Sequence, residues 1–145
     1  MADPVAAVPE SNEANNEATF PLSVPASLLP DLAPTGVTTA SALDANGKID
    51  VTLNGTLLNS GPSQAFGARL QFAVSADDGV TFTDVGSSVS AGNIPGGVGR
   101  AAQRLWQNVA PGAYVVRLTA DTANVVEESD ETNNTGVFAL IIEAP

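Results

Sequence analysis

Apolar residues recur at alternate positions in three stretches of the chain: Ile49, Val51, Leu53 and Leu57; then Phe66, Ala68, Leu70, Phe72 and Val74; then Tyr114, Val116 and Leu118. A period of two places such residues on one face of an extended chain, so each stretch predicts a strand with one face in a core and the other in water. A fourth stretch, Val137 to Ile142, is apolar at every position and predicts a strand buried on both faces. Turn formers separate these runs: Asn46-Gly47, Asn59-Ser60-Gly61-Pro62, Asp77-Asp78-Gly79, Pro95-Gly96-Gly97 and Pro111-Gly112. No stretch carries the apolar stripe of a helix. Roughly seven short strands in about a hundred residues predict an all-β fold, an immunoglobulin-like antiparallel β-sandwich.

The chain also repeats itself. Residues 2–24 align without a gap on residues 120–142, and ten of the 23 positions are identical: Ala2/Ala120, Asp3/Asp121, Val8/Val126, Glu10/Glu128, Ser11/Ser129, Glu13/Glu131, Asn15/Asn133, Asn16/Asn134, Phe20/Phe138 and Leu22/Leu140. Roughly one or two matches would arise from ordinary residue usage. The repeat is therefore real, and a fixed period marks an array of similar units. It divides the chain into an acidic segment, residues 1–24, a linker stiffened by Pro25 and Pro30, residues 25–30, and a folded unit over residues 31–145.

Composition removes several chemistries. There is no cysteine and no histidine, which excludes disulfides, thiolate catalysis, structural zinc and the usual histidine-based proteolysis. No run of 18 apolar residues is present, so no membrane-spanning helix is expected. The first residues lack the basic and apolar regions of a signal peptide, so a mature chain or a fragment is expected.

The net charge of −11 is concentrated in the two matching segments: −4 over residues 1–29, −6 over residues 120–145, and −1 between them. Such a surface repels phosphate backbones and anionic lipids, and no nucleic-acid partner or membrane insertion is expected. The second segment crowds Asp121, Asn124, Glu127, Glu128, Asp130, Glu131, Asn133 and Asn134 between two strands. Calcium takes six to eight oxygens of these types. Asp121, Glu128, Asp130 and Glu131 are accordingly the candidate calcium ligands, with Asp3, Glu10, Asn12 and Glu13 a possible second set. The spacing is not that of an EF-hand. The competing reading is structural: asparagines that bond local backbone, and carboxylates in water.

Four stretches in order, "PDLAPTGV" (30–37), "VTLNGTLLNSGPS" (51–63), "VAPGAYVVRLTAD" (109–121) and "NVVEESDETNN" (124–134), resemble the cell-adhesion-related domain found in bacteria, CARDB. The resemblance spans about residues 30–143. It implies an extracellular or cell-surface immunoglobulin-like module of a prokaryote, used in tandem within large surface or secreted proteins. One departure stands out: the closing motif occurs twice, once with no domain in front of it.

In the first copy Phe20, Leu22 and Val24 alternate with Thr19, Pro21 and Ser23, as for an edge strand, because proline cannot donate to a ladder. Two explanations of this copy stand side by side. It is either the severed end of a preceding repeat or a strand donated to a neighbouring copy, with Phe20, Leu22 and Val24 filling pockets and head-to-tail contacts building a filament. A donated strand needs a free edge, and the second copy already supplies each domain with its own last strand.

The expected function is a non-catalytic structural or adhesion module that assembles head to tail into filaments or tandem arrays. A monomeric repeat that binds a carbohydrate or protein ligand is the alternative. Trp106 and Tyr114, the only residues of their types, are expected in the core rather than in a sugar-stacking site.

Overall fold

The structure, a computed structural model, describes Pro9 and residues 18–144. Alternating stretches become strands, and the turn formers lie between them or, for Asn59 and Gly112, at strand ends: β1 (Leu32–Leu43), β2 (Ile49–Asn59), β3 (Ala65–Ser75), β4 (Thr83–Asp84), β5 (Val89–Ile94), β6 (Gly99–Val109), β7 (Gly112–Ala120) and β8 (Thr135–Ile142). All pairings are antiparallel. One sheet has the order β1-β2-β6, and the other has β4-β3-β7-β8 with β5 also on β3. β5 pairs with β3 from Ala65 to Leu70 and β4 with Ala73 and Val74, both opposite the side taken by β7. They therefore share one interrupted edge, and eight strands occupy the seven positions of an immunoglobulin-like sandwich.

The predicted inward residues make the core. Val51, Leu53 and Leu57 of β2 cluster with Ala68, Leu70 and Phe72 of β3 and with Val116 and Leu118 of β7, all fully buried. Tyr114 stands at the start of β7, where its hydroxyl donates to the Ala110 carbonyl at 2.9 Å. Its ring meets Trp106 edge to face at 4.9 Å, and both rings pack against the core. That is the tyrosine corner of immunoglobulin-like domains.

Two expectations are corrected. Phe66 is not a core residue but is 68% exposed. Gly67 adopts a left-handed φ of 66° and the β3–β5 register shifts between Ala65 and Ala68, so the bulge turns Ala65 inward and Phe66 outward. Nor is β8 covered on both faces. Among the described residues it pairs with β7 alone, as an edge strand, and Val137, Ala139 and Ile141 point outward while Ile142 is buried. Its continuous apolar run simulated a central strand.

The two ends of the sandwich differ. β1 begins at Leu32 opposite Asn59, at the N-terminal pole, where the loop between β7 and β8 also lies. β8 ends at Ile142 opposite Gly112, beside the last residues of β1, at the C-terminal pole. The chain thus enters the sandwich at one pole and leaves at the other.

Candidate functional site

The acidic loop begins where β7 runs out. Asp121 adopts a φ of 39°, a left-handed conformation that Asp tolerates better than most residues, and turns the chain off the sheet. Its buried carboxylate accepts the Val126 N–H at 2.7 Å, which folds the loop back and seats Val126 in the core. Asp130 makes a local turn, accepting the Thr132 N–H at 2.8 Å and its hydroxyl at 2.6 Å. Both carboxylates thus shape backbone.

Glu128 reaches further. One oxygen accepts the Leu32 N–H at 2.5 Å and the other the Asn134 amide at 3.2 Å, and the side chain is buried. Leu32 opens an edge strand with no neighbour on that side among the described residues, and Glu128 supplies the acceptor for its amide. Glu131 braces Glu128, accepting the Glu128 N–H at 3.0 Å and the Asn134 amide at 3.3 Å. Asn133 donates to the Asp31 carboxylate at 2.7 Å, and Ser129 N–H to the Pro30 carbonyl at 2.9 Å. The loop is a latch over residues 30–32.

A second clamp holds the same segment from the other side. Asn59 is fully buried and uses all four of its hydrogen-bonding positions. Its oxygen accepts from Asp31 N–H at 3.0 Å and Gly61 N–H at 3.1 Å, and its amide donates to the Ser63 carbonyl at 2.7 Å and the Ile94 carbonyl at 2.9 Å. Gly61 lies so close beneath the incoming chain that a Cβ there would stand 2.3 Å from the Leu29 carbonyl oxygen. In the sequence Asn59 registers only as a turn former, and its burial is visible only once three distant segments meet.

The four candidate calcium ligands are therefore already engaged: Asp121 and Asp130 each accept a local backbone N–H, and Glu128 and Glu131 share the Asn134 amide. No three acidic side chains among the described residues converge as a metal cluster. Asp3, Glu10, Asn12 and Glu13 lie outside the described residues. Phe20, Leu22 and Val24 are exposed at 83%, 93% and 58%.

Burial pushes the Glu128 carboxyl up to about 7, assisted by the nearby Glu131 and Asp121 charges and opposed by the Leu32 and Asn134 donors. A carboxyl whose folded value exceeds its unfolded one contributes most at low pH and loses that contribution as pH rises through the folded value. Stability should accordingly fall as the pH rises from about 4.5 to about 7, by on the order of 2 kcal/mol. At the acid end Asp77, held down to about 2 by Ser75 and Thr81, works oppositely and stability drops below pH 4. Glu128→Gln should flatten the upper limb alone in melting curves taken across this range; an unchanged slope rejects the assignment to Glu128.

The CARDB family model matches residues 29–137. Among solved structures the chain is similar to the CARDB domain of a Pyrococcus furiosus protein, determined in complex with di-metal ions. That likeness has 17% identity and a TM-score of 0.55, covering 78% of this chain and 88% of that one. It is similar also to a domain of a protein assigned to the cell surface of Methanosarcina acetivorans, with 20% identity, a TM-score of 0.60, and coverage of 78% and 91%. No curated protein matches the chain in sequence. No helix among the described residues is long and apolar enough to cross a membrane. With the family model spanning most of its length and the same sandwich fold in its neighbours, the chain belongs to the CARDB family.

Proposed function

We propose that this domain is a non-catalytic structural or adhesion module of the prokaryotic cell surface that joins end to end with copies of itself or with neighbouring repeats. The observation that carries the reading is the placement of the chain's path: it enters at one pole and leaves at the other, so consecutive modules extend along a line. The exposed side chains of residues 18–24 supply a joining segment, and β8 offers a free edge. At the C-terminal pole a cavity of about 400 Å³ opens between the ends of β1 and β8, with Leu43 and Ile141 exposed at its rim.

Calcium in the acidic loop is a second reading. The Asn133 and Asn134 side-chain oxygens are buried with no hydrogen-bond partner, and a hard cation is one group that would satisfy them. The metal-bearing Pyrococcus domain supports it. The bonds already made by Asp121, Glu128, Asp130 and Glu131 weigh against it.

Negative-stain electron microscopy of the chain tests both, with calcium and then with chelator. Filaments with a regular axial repeat, lost on deletion of residues 1–24 while the domain stays folded, are expected. Their loss in chelator would place calcium at the joint. Single particles under every condition would reject self-assembly and favour a monomeric repeat that binds a carbohydrate or protein ligand.

A further inference from the structure

The identical positions of the two copies are not scattered over the second copy; they coincide with its inward and latching residues. Ala120 and Val126 are buried in the core. Glu128 and Asn133, with the Ser129 backbone N–H, make the loop's three bonds to residues 30–32. Asp121, Glu131 and Asn134 shape and brace the loop. Phe138 and Leu140 are the partly buried side chains of β8 that pack on the core. Residue 142, buried at the end of β8, changes only from Ile to Val. The outward positions of the strand, Val137, Ala139 and Ile141, are those replaced by Thr19, Pro21 and Ser23.

Pro21 agrees with the backbone as well. The Ala120 N–H donates to the Asn134 carbonyl, so these residues form a hydrogen-bonded pair and every second pair along β7 and β8 does the same. The Val115–Ala139 pair falls between them, which turns the Ala139 N–H away from β7 toward the free edge. A proline at that place leaves the ladder to β7 whole.

We infer that residues 2–24 are a complete closing segment, latch plus last strand, for a second sandwich body of this same kind, seated there as residues 120–142 are seated here. The partner is a like repeat whose own closing segment is not in place. Lying alongside β8 instead would leave Glu10, Asn15 and Asn16 without a purpose, because the groups they match already carry Glu128, Asn133 and Asn134. This inference rests on the end-to-end reading and names the mode of joining within it.

The test is a full-length chain in which residues 120–142 are replaced by the sequence of residues 2–24. It should show the same β-rich circular dichroism and a cooperative melt within about 15 °C of the parent. Glu10→Ala, Asn15→Ala and Asn16→Ala made together in the grafted copy should lower that melt by about 10 °C or more, whereas Glu17→Ala in the same copy should not move it. A graft that stays unfolded overturns the inference, and so does a folded graft indifferent to the three latch substitutions. Filaments of the parent chain persisting beside a failed graft would leave end-to-end joining in place and remove only this mode.

Discussion

Asn59→Ala is expected to lower the unfolding free energy by about 3–5 kcal/mol, more than most core truncations of similar volume. The side chain is fully buried and bonds Asp31, Gly61, Ser63 and Ile94, so its removal orphans two N–H groups and two carbonyls where water cannot readily replace it. Each unsatisfied group costs roughly 1–3 kcal/mol, and local relaxation recovers part of the sum. Asn59→Asp should be no better, because its second oxygen would face the Ser63 and Ile94 carbonyls in place of a donor. Urea denaturation at constant slope checks both. A loss below about 1.5 kcal/mol for alanine would show that the pole is held by the Glu128 latch without the Asn59 clamp.

The second large effect lies in the centre of the sandwich. Phe72→Ala should cost about 3–5 kcal/mol, combining lost transfer free energy with the cavity left among Leu70, Leu118 and their neighbours. Phe72 is the largest fully buried side chain and stands on β3, between the interrupted edge and β7, where neither neighbour can close in independently. Phe72→Leu keeps most of the volume and should cost clearly less. Because a domain of this kind has a net stability of about 5–15 kcal/mol, Asn59→Ala and Phe72→Ala together bring it close to unfolding at room temperature. Calorimetry would show a broad or absent transition for the pair; near-parental melting of Phe72→Ala alone would mean that the two sheets are packed more loosely than the burial implies.

These two residues mark the boundary between what can be read along the chain and what cannot. Leu53, Leu70, Phe72, Val116 and Leu118 are legible as core because alternation is a local consequence of strand geometry and requires no knowledge of partners. Turn chemistry was legible for the same reason, and with it the sandwich. Phe66 was not, since the bulge at Gly67 inverts the alternation by one residue, and a glycine in a strand does not announce its φ. For β8 the apolar run predicted cover on both faces, and only the tertiary structure shows that Val137, Ala139 and Ile141 face outward.

The acidic motif divides in the same way. Its residues and their repetition were plain in the sequence, and oxygen-rich composition alone suggested a cation. Which oxygens meet which amides depended on segments about a hundred residues apart, such as Glu128 and Leu32 or Asn133 and Asp31. By itself the sequence determined the strand content, the core faces, the charge distribution and the repetition of the acidic closing sequence, all of them local or compositional properties. Only the tertiary structure decided that the acidic loop fastens the start of the first strand, that Asn59 is a buried four-way clamp, and that the last strand pairs with β7 alone among the described residues, because each is a relation between surfaces that the chain brings together only by folding.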